Sequence, residues 1–232
     1  MIPQLPLGIV LRESASLETF LPGENSQILA DIQAAVERRG EQFLYLWGTV
    51  DSGKSHLLQA ACRLASERKM TVSYIPLREA AGFTPEILSD LDHLDLVCLD
   101  DLQTIVGQPK WEQALFHLFN QLRDHDSSLL VSADRSPAQL PVQLADLDSR
   151  LSWGISYQLQ PLSDRHKMEA MVLYASRRGL SLPDTTANYI LRHTARDMAS
   201  LLETLDRLDR ASLAAQRKLT IPFVRAQLND PE

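Results

Sequence analysis

The sequence is short of the features that mark several large classes of protein. Among its 232 residues are only two cysteines, Cys62 and Cys98, set far apart. Two cysteines do not make a disulfide scaffold, and this pair has no metal-binding spacing. One falls in a helical pattern and the other in an apolar strand, and both read as reduced, buried small hydrophobes. Aromatic residues make up 6% of the chain, too few to suggest a platform that stacks the bases of single strands. Positive charge is also scarce. Lys and Arg number 23 against 30 Asp and Glu, a formal charge of −7, the reverse of the footprint of a free-standing nucleic-acid binder. No apolar run approaches the roughly 18 residues needed to span a bilayer, and the N-terminus lacks the charged-then-apolar pattern of a signal segment. These absences argue against a membrane partner and point to a reducing, cytoplasmic setting.

What remains is an ordinary globular composition, 44% hydrophobic and 23% charged. The length suits one large domain, or a core with a small appendage. Residues 1–25 carry Pro3, Pro6, Gly8, Pro22 and Gly23 and read as an extended arm. From residue 26 to 162, apolar runs of strand length alternate with helical periodicity. The runs are QFLYLW (42–47), TVSYIPL (71–77), LDLVCLDD (94–101), SLLVSADRSP (128–137) and ISYQLQ (155–160). A helix over 26–39 precedes the first, KSHLLQAACRLASERK follows it, and KWEQALFHLFNQLRDH places Trp111, Leu115, Leu118 and Leu122 at core spacing. Alternation of this kind predicts a parallel five-stranded α/β sheet flanked by helices. From 163 to 232 the pattern is helical, broken near GLSLPD and LTIP, and predicts a small domain of three or four helices.

GTVDSGKSH (48–56) holds the strongest chemical signal. A Gly, four free positions and Gly-Lys-Ser, set after an apolar strand and before a helix, form a phosphate-cradling loop. Backbone N–H groups from Gly48 to Gly53, with Asp51 and Ser52 among them, converge on phosphate oxygens beside a helix N-terminus. Lys54 then reaches the β and γ phosphates, the Ser55 hydroxyl ligates Mg²⁺, and His56 stands in the first helical turn. Asp100 and Asp101 close the third strand, where α/β sheets place ligand groups. One acid holds Mg²⁺, which the pattern assigns to Asp100, and Asp101 polarises the attacking water. The second acid is the shorter Asp where fast ATPases commonly carry Glu, a first sign of slow turnover. At the end of the fourth strand, Ser132 and Asp134 are candidates for the γ-phosphate or the water. Arg150, in DSRLSWG, and Arg196, in TARDMASLLETL, are guanidinium groups of the kind that stabilise a transferring phosphoryl group. A salt-bridged surface role remains open for both.

Together these residues resemble an AAA+ nucleotide-binding module, and more narrowly that of the DnaA initiator family. The resemblance runs over nearly the whole chain, through GENSQILADIQAA, WGTVDSGKSHLLQAAC, LVCLDDLQTI, VSADRSPAQL, LDSRLSWG and RDMASLLETLDRLD. It implies that Lys54 and Ser55 belong to Walker A and Asp100 and Asp101 to Walker B. Asp134 corresponds to sensor I, Arg150 to the arginine finger and Arg196 to sensor II. The initiators continue into a helix-turn-helix domain, and here the sequence ends at Glu232, so sequence-specific DNA recognition is not expected. The arm contains QLPLG (4–8), whose Gln-Leu-x-Leu spacing resembles a sliding-clamp motif. Gln4 would serve a pocket mouth, and Leu5 and Leu7 its apolar subsites.

The resemblance therefore implies a DnaA paralogue with DnaA and the DNA-loaded clamp (the polymerase III β subunit) as partners. It would supply Arg150 in trans to hydrolyse DnaA-bound ATP while holding its own nucleotide, ADP or ATP, with little turnover. Whether it also self-associates is left open. An AAA+ helicase loader is the alternative, and would be expected to carry a basic or helical N-terminal segment. A small-molecule kinase would share only the phosphate loop.

Overall fold

The computed structural model describes residues 15–23, 25–79 and 84–229. Five strands, β1 (Phe43–Trp47), β2 (Val72–Pro76), β3 (Leu96–Asp100), β4 (Ser128–Ala133) and β5 (Ile155–Gln158), pair in parallel in the order β2-β3-β4-β1-β5. Alternation along β1 divides the core. Phe43 and Tyr45 face one layer with Trp111, Leu115, Leu118 and Leu122 of helix α3 (Pro109–Asp124) and Leu147 and Leu151 of α4 (Ala145–Leu151). Leu44 and Leu46 face the other, with Ile28 and Ile32 of α1 (Ser26–Val36) and Leu57, Leu58 and Cys62 of α2 (Lys54–Glu67). The three inner strands are covered on both faces, which is why their sequences read as unbroken apolar runs. Cys62 and Cys98 are free and buried.

Sequence boundaries shift by small amounts. Helix α1 ends at Val36 rather than near residue 39, because Arg38 turns to a φ of 54°. The fourth strand stops at Ala133, leaving Asp134 one residue beyond the sheet. The second compact unit begins at Pro161. Its four helices are α5 (Asp164–Arg177), α6 (Asp184–His193), α7 (Met198–Ala215) and α8 (Ile221–Asn229). They close around Met171, Ile190, Leu201, Leu205, Leu208 and Val224. The Ser163 hydroxyl caps α5 by accepting from the His166 N–H, and Asp197 caps α7 by accepting from the Ser200 N–H at 2.8 Å.

Of the arm, the described residues 15–23 are folded rather than extended. Ser16 and Thr19 exchange backbone and hydroxyl hydrogen bonds, and Ala15 is buried. Phe20 lies over the loop after β1, so close that a Cβ on Gly53 would stand 2.7 Å from its ring. No helix among the described residues is long and apolar enough to cross a membrane.

Candidate functional site

The site forms at the C-terminal edge of the sheet, where β1, β3 and β4 lie side by side. Leaving β1, the chain turns through Gly48, Asp51 (φ 66°) and Gly53 (φ 94°) before entering α2. Gly53 is the N-cap of α2 and supplies no side-chain oxygen, and the first turn contains no acid. The first N–H groups of a helix have no carbonyl partner within it. An uncapped helix end with Lys54 and His56 in its first turn is suited to an anion.

Lys54 is buried and folds back over the loop. Its ammonium donates to the carbonyls of Gly48 and Thr49, each at 2.8 Å. Burial pushes its pKa below the ordinary lysine value, with Asp101, Asp100 and Asp134 pulling it back up. Ser55 is exposed at the same helix end. The His56 ring turns toward the N-terminal segment, with Nε2 at 3.0 Å from the Ser16 carbonyl and the ring packed on Phe20.

Asp100 ends β3 and is 3% exposed. One carboxylate oxygen accepts from the Tyr74 hydroxyl at 2.7 Å, and the other accepts from the Ser132 hydroxyl. Burial and the neighbouring carboxylate drive the Tyr74 phenol well above its usual pKa. Asp101 departs from the strand in a left-handed conformation (φ 64°) and pairs with Arg78 at 3.0 Å. Gln103 joins the two strand ends, donating to Asp101 at 2.9 Å and accepting from the Asp134 N–H at 3.1 Å. Asp134 is held by Arg135, whose hydrogen bonds lower its pKa.

Among the described residues, Ser55, Asp100 and Asp101 bring oxygen donors to this edge. No three His, Cys, Asp or Glu among the described residues come together to cage a metal. That set fits Mg²⁺, which keeps water and phosphate oxygens among its ligands.

Arg150 belongs to the opposite edge. It lies in the last turn of α4, and its guanidinium sits 4.0 Å from the ring centroid of Trp153. Trp153 lines a cavity of about 100 Å³ with Glu41, Gln42, Phe43, Ser127 and Leu129, at the N-terminal ends of β1 and β4. The four steps along the five residues of β1, at about 3.3 Å each, separate the two edges by about 13 Å. Arg196 is in the second unit, 3.5 Å from Asp164. Gln4, Leu5 and Leu7 lie outside the described residues.

Several participants carry no sequence signal of their own. Tyr74, Gln103 and Phe20 reach the site only through strand order or chain reversal. Glu112 is 1% exposed and accepts the N–H groups of Gly107, Gln143 and Leu144, the last two at the entry to α4.

A parallel sheet in this order, a glycine loop after β1 and a helical unit that follows in the sequence define the AAA+ class. Residues 11–158 match the model of the bacterial DnaA ATPase domain, and residues 164–228 match that of the Hda lid domain. The chain belongs to the DnaA family.

Among solved structures, domain III of the Thermotoga maritima replication initiation protein DnaA is 22% identical, with a TM-score of 0.75 over 96% of this chain and 98% of that one. AMPPCP-bound DnaA from Aquifex aeolicus is 25% identical, with a TM-score of 0.70 over 87% of this chain and 67% of that one. A Thermotoga maritima RuvB shares the fold at 20% identity and a TM-score of 0.67, over 94% and 72%.

Proposed function

We propose that this protein regulates replication initiation by lending Arg150 to the nucleotide site of DnaA. The observation that carries the reading is the position of Arg150. It stands at the sheet edge away from its own phosphate loop, beside the half-exposed Trp153, so it serves a nucleotide held by another molecule. A guanidinium supplied in trans raises hydrolysis by roughly 10³–10⁵ in other nucleotide hydrolases.

The chain's own loop holds ADP or ATP. The N–H groups around Gly53, the Lys54 ammonium and the Ser55 hydroxyl receive the phosphates, and Asp100 with Ser55 holds Mg²⁺. That ion neutralises phosphate charge when bound. Asp134 and Arg196 read the phosphate end. With Asp101 committed to Arg78 and Gln103, a lytic water is poorly held, and the nucleotide acts mainly as a structural ligand. Gln4, Leu5 and Leu7 tether the protein to the DNA-loaded sliding clamp, which raises its concentration near DnaA without a new contact.

The test is ATP hydrolysis by DnaA, with and without this protein and clamp on DNA. Stimulation that needs the clamp and collapses in Arg150→Ala and in Gln4→Ala/Leu5→Ala supports the reading. Brisk ATP turnover by this protein alone, with DnaA unaffected, defeats it in favour of a loader.

A further inference from the structure

The string RLSWG folds into a small platform. Leu151 is 1% exposed and anchors the end of α4 in the core, while Trp153 donates its N–H back to the Arg150 carbonyl at 3.0 Å. Gly154 follows with φ +71°, and a Cβ there would stand 2.3 Å from the Phe43 carbonyl oxygen. Only glycine lets the chain press this tightly on β1, and the contact fixes where Trp153 emerges.

The Trp153 ring then faces the Arg150 guanidinium at 4.0 Å, well inside the range of a cation–π contact, while Arg123 approaches the same ring at 5.6 Å. One terminal nitrogen of Arg150, Nη1, is buried and has no hydrogen-bond partner among the described residues. A covered, unsatisfied guanidinium nitrogen costs stability and calls for an explanation.

We propose that Trp153 is the positioning residue for Arg150, covering one face of the guanidinium and, with Nη1 buried, fixing the group so that its remaining N–H groups meet an incoming phosphate oxygen without first having to be ordered. The inference rests on the reading that Arg150 acts in trans, and supplies the reason the arginine is followed by Trp-Gly. A long side chain at a surface edge otherwise samples many rotamers, and ordering it during the reaction would raise the barrier.

The experiment has two arms on the full chain, for the parent, Trp153→Ala, Trp153→Phe, Arg150→Ala and the double Ala variant. The first is the NMR Nε–Hε signal of Arg150, identified by its loss in Arg150→Ala. The ring should displace and sharpen this signal in the parent and in Trp153→Phe, and Trp153→Ala should return it to the position of a free arginine. The second is stimulated ATP hydrolysis by DnaA.

Trp153→Ala should cut the maximal rate by about tenfold or more with little change in the concentration giving half stimulation. Trp153→Phe should keep most of the rate, and the double variant should be no worse than Arg150→Ala, since one residue acts through the other.

An Nε–Hε signal unchanged in Trp153→Ala overturns the proposal. So does a double variant whose losses multiply, or a loss confined to the half-stimulating concentration, which would make Trp153 a partner contact. If the parent fails to stimulate DnaA at all, the functional reading falls, and the Arg150 signal still decides the stacking by itself.

Discussion

Lys54 closes on Gly48. The lysine that the loop presents for phosphate donates instead to the Gly48 carbonyl at 2.8 Å, six residues back along the same turn. A nucleotide must draw the ammonium away from that carbonyl, so binding exchanges one set of oxygen acceptors for a charged one. Lys54→Ala should weaken ADP binding about a hundredfold or more, measured by calorimetry. An affinity within a few-fold of the parent would remove Lys54 from the site.

The same exchange carries a pH dependence. Burial holds the Lys54 pKa below its ordinary value, and phosphate oxygens favour the charged form, so the pKa is higher in the complex than in the free protein. Affinity is then full below the free-state pKa and declines as pH rises through it. Calorimetric titrations between neutral pH and the ordinary lysine value of about 10.4 should show that fall. A flat profile would mean that Lys54 does not meet the phosphates.

Glu112 is the fastening of the segment that leads to Arg150. Its carboxylate accepts N–H groups from Gly107, Gln143 and Leu144, and glutamine in its place would turn an NH₂ toward one of those donors. Glu112→Gln should cost about 1–3 kcal/mol, read as a lower urea midpoint with an unchanged slope. No shift in the midpoint would show that the carboxylate is dispensable.

Much of the chain was legible before its structure. Strand runs, the phosphate loop and the strand-end acids announce themselves because parallel strands covered on both faces need unbroken apolar sequence and because phosphate loops need glycine at fixed offsets. Phe20 was not legible, since nothing local tells an arm with three prolines that it will fold back on Gly53. Glu112 reads as a surface acid in an amphipathic helix, and only the return of residues 143 and 144 makes it a buried acceptor. Trp153 was visible solely as a neighbour of Arg150. Its contact depends on the turn that Gly154 permits, a matter of backbone geometry rather than of composition.

Gly154→Ala tests that turn. The added methyl meets the Phe43 carbonyl oxygen at 2.3 Å, at a φ of +71° that side chains resist. A loss of about 2 kcal/mol or more is expected, seen as a lower melting temperature. A variant as stable as the parent would mean that β1 and the Trp-Gly turn separate easily.

Arg196 separates stability from binding. Its partner Asp164 is 3.5 Å away, and the two side chains are 63% and 59% exposed, so the pair itself is worth about 0–1 kcal/mol. Arg196→Ala should leave the urea midpoint nearly unchanged and weaken nucleotide binding. Unaltered calorimetric affinity would restrict Arg196 to the helical unit's surface.

Lys54 and Arg150 occupy the two ends of a single sheet, and this gives the molecule a direction. If Arg150 acts in trans as proposed, a unit with a socket at one end and a plug at the other would meet its partner head to tail, and two such units facing each other across a two-fold axis would not fill both sockets at once. Each plug inserted leaves a socket vacant behind it. Any such row would stay open, and its length would follow from the strength of each join and the concentration of units.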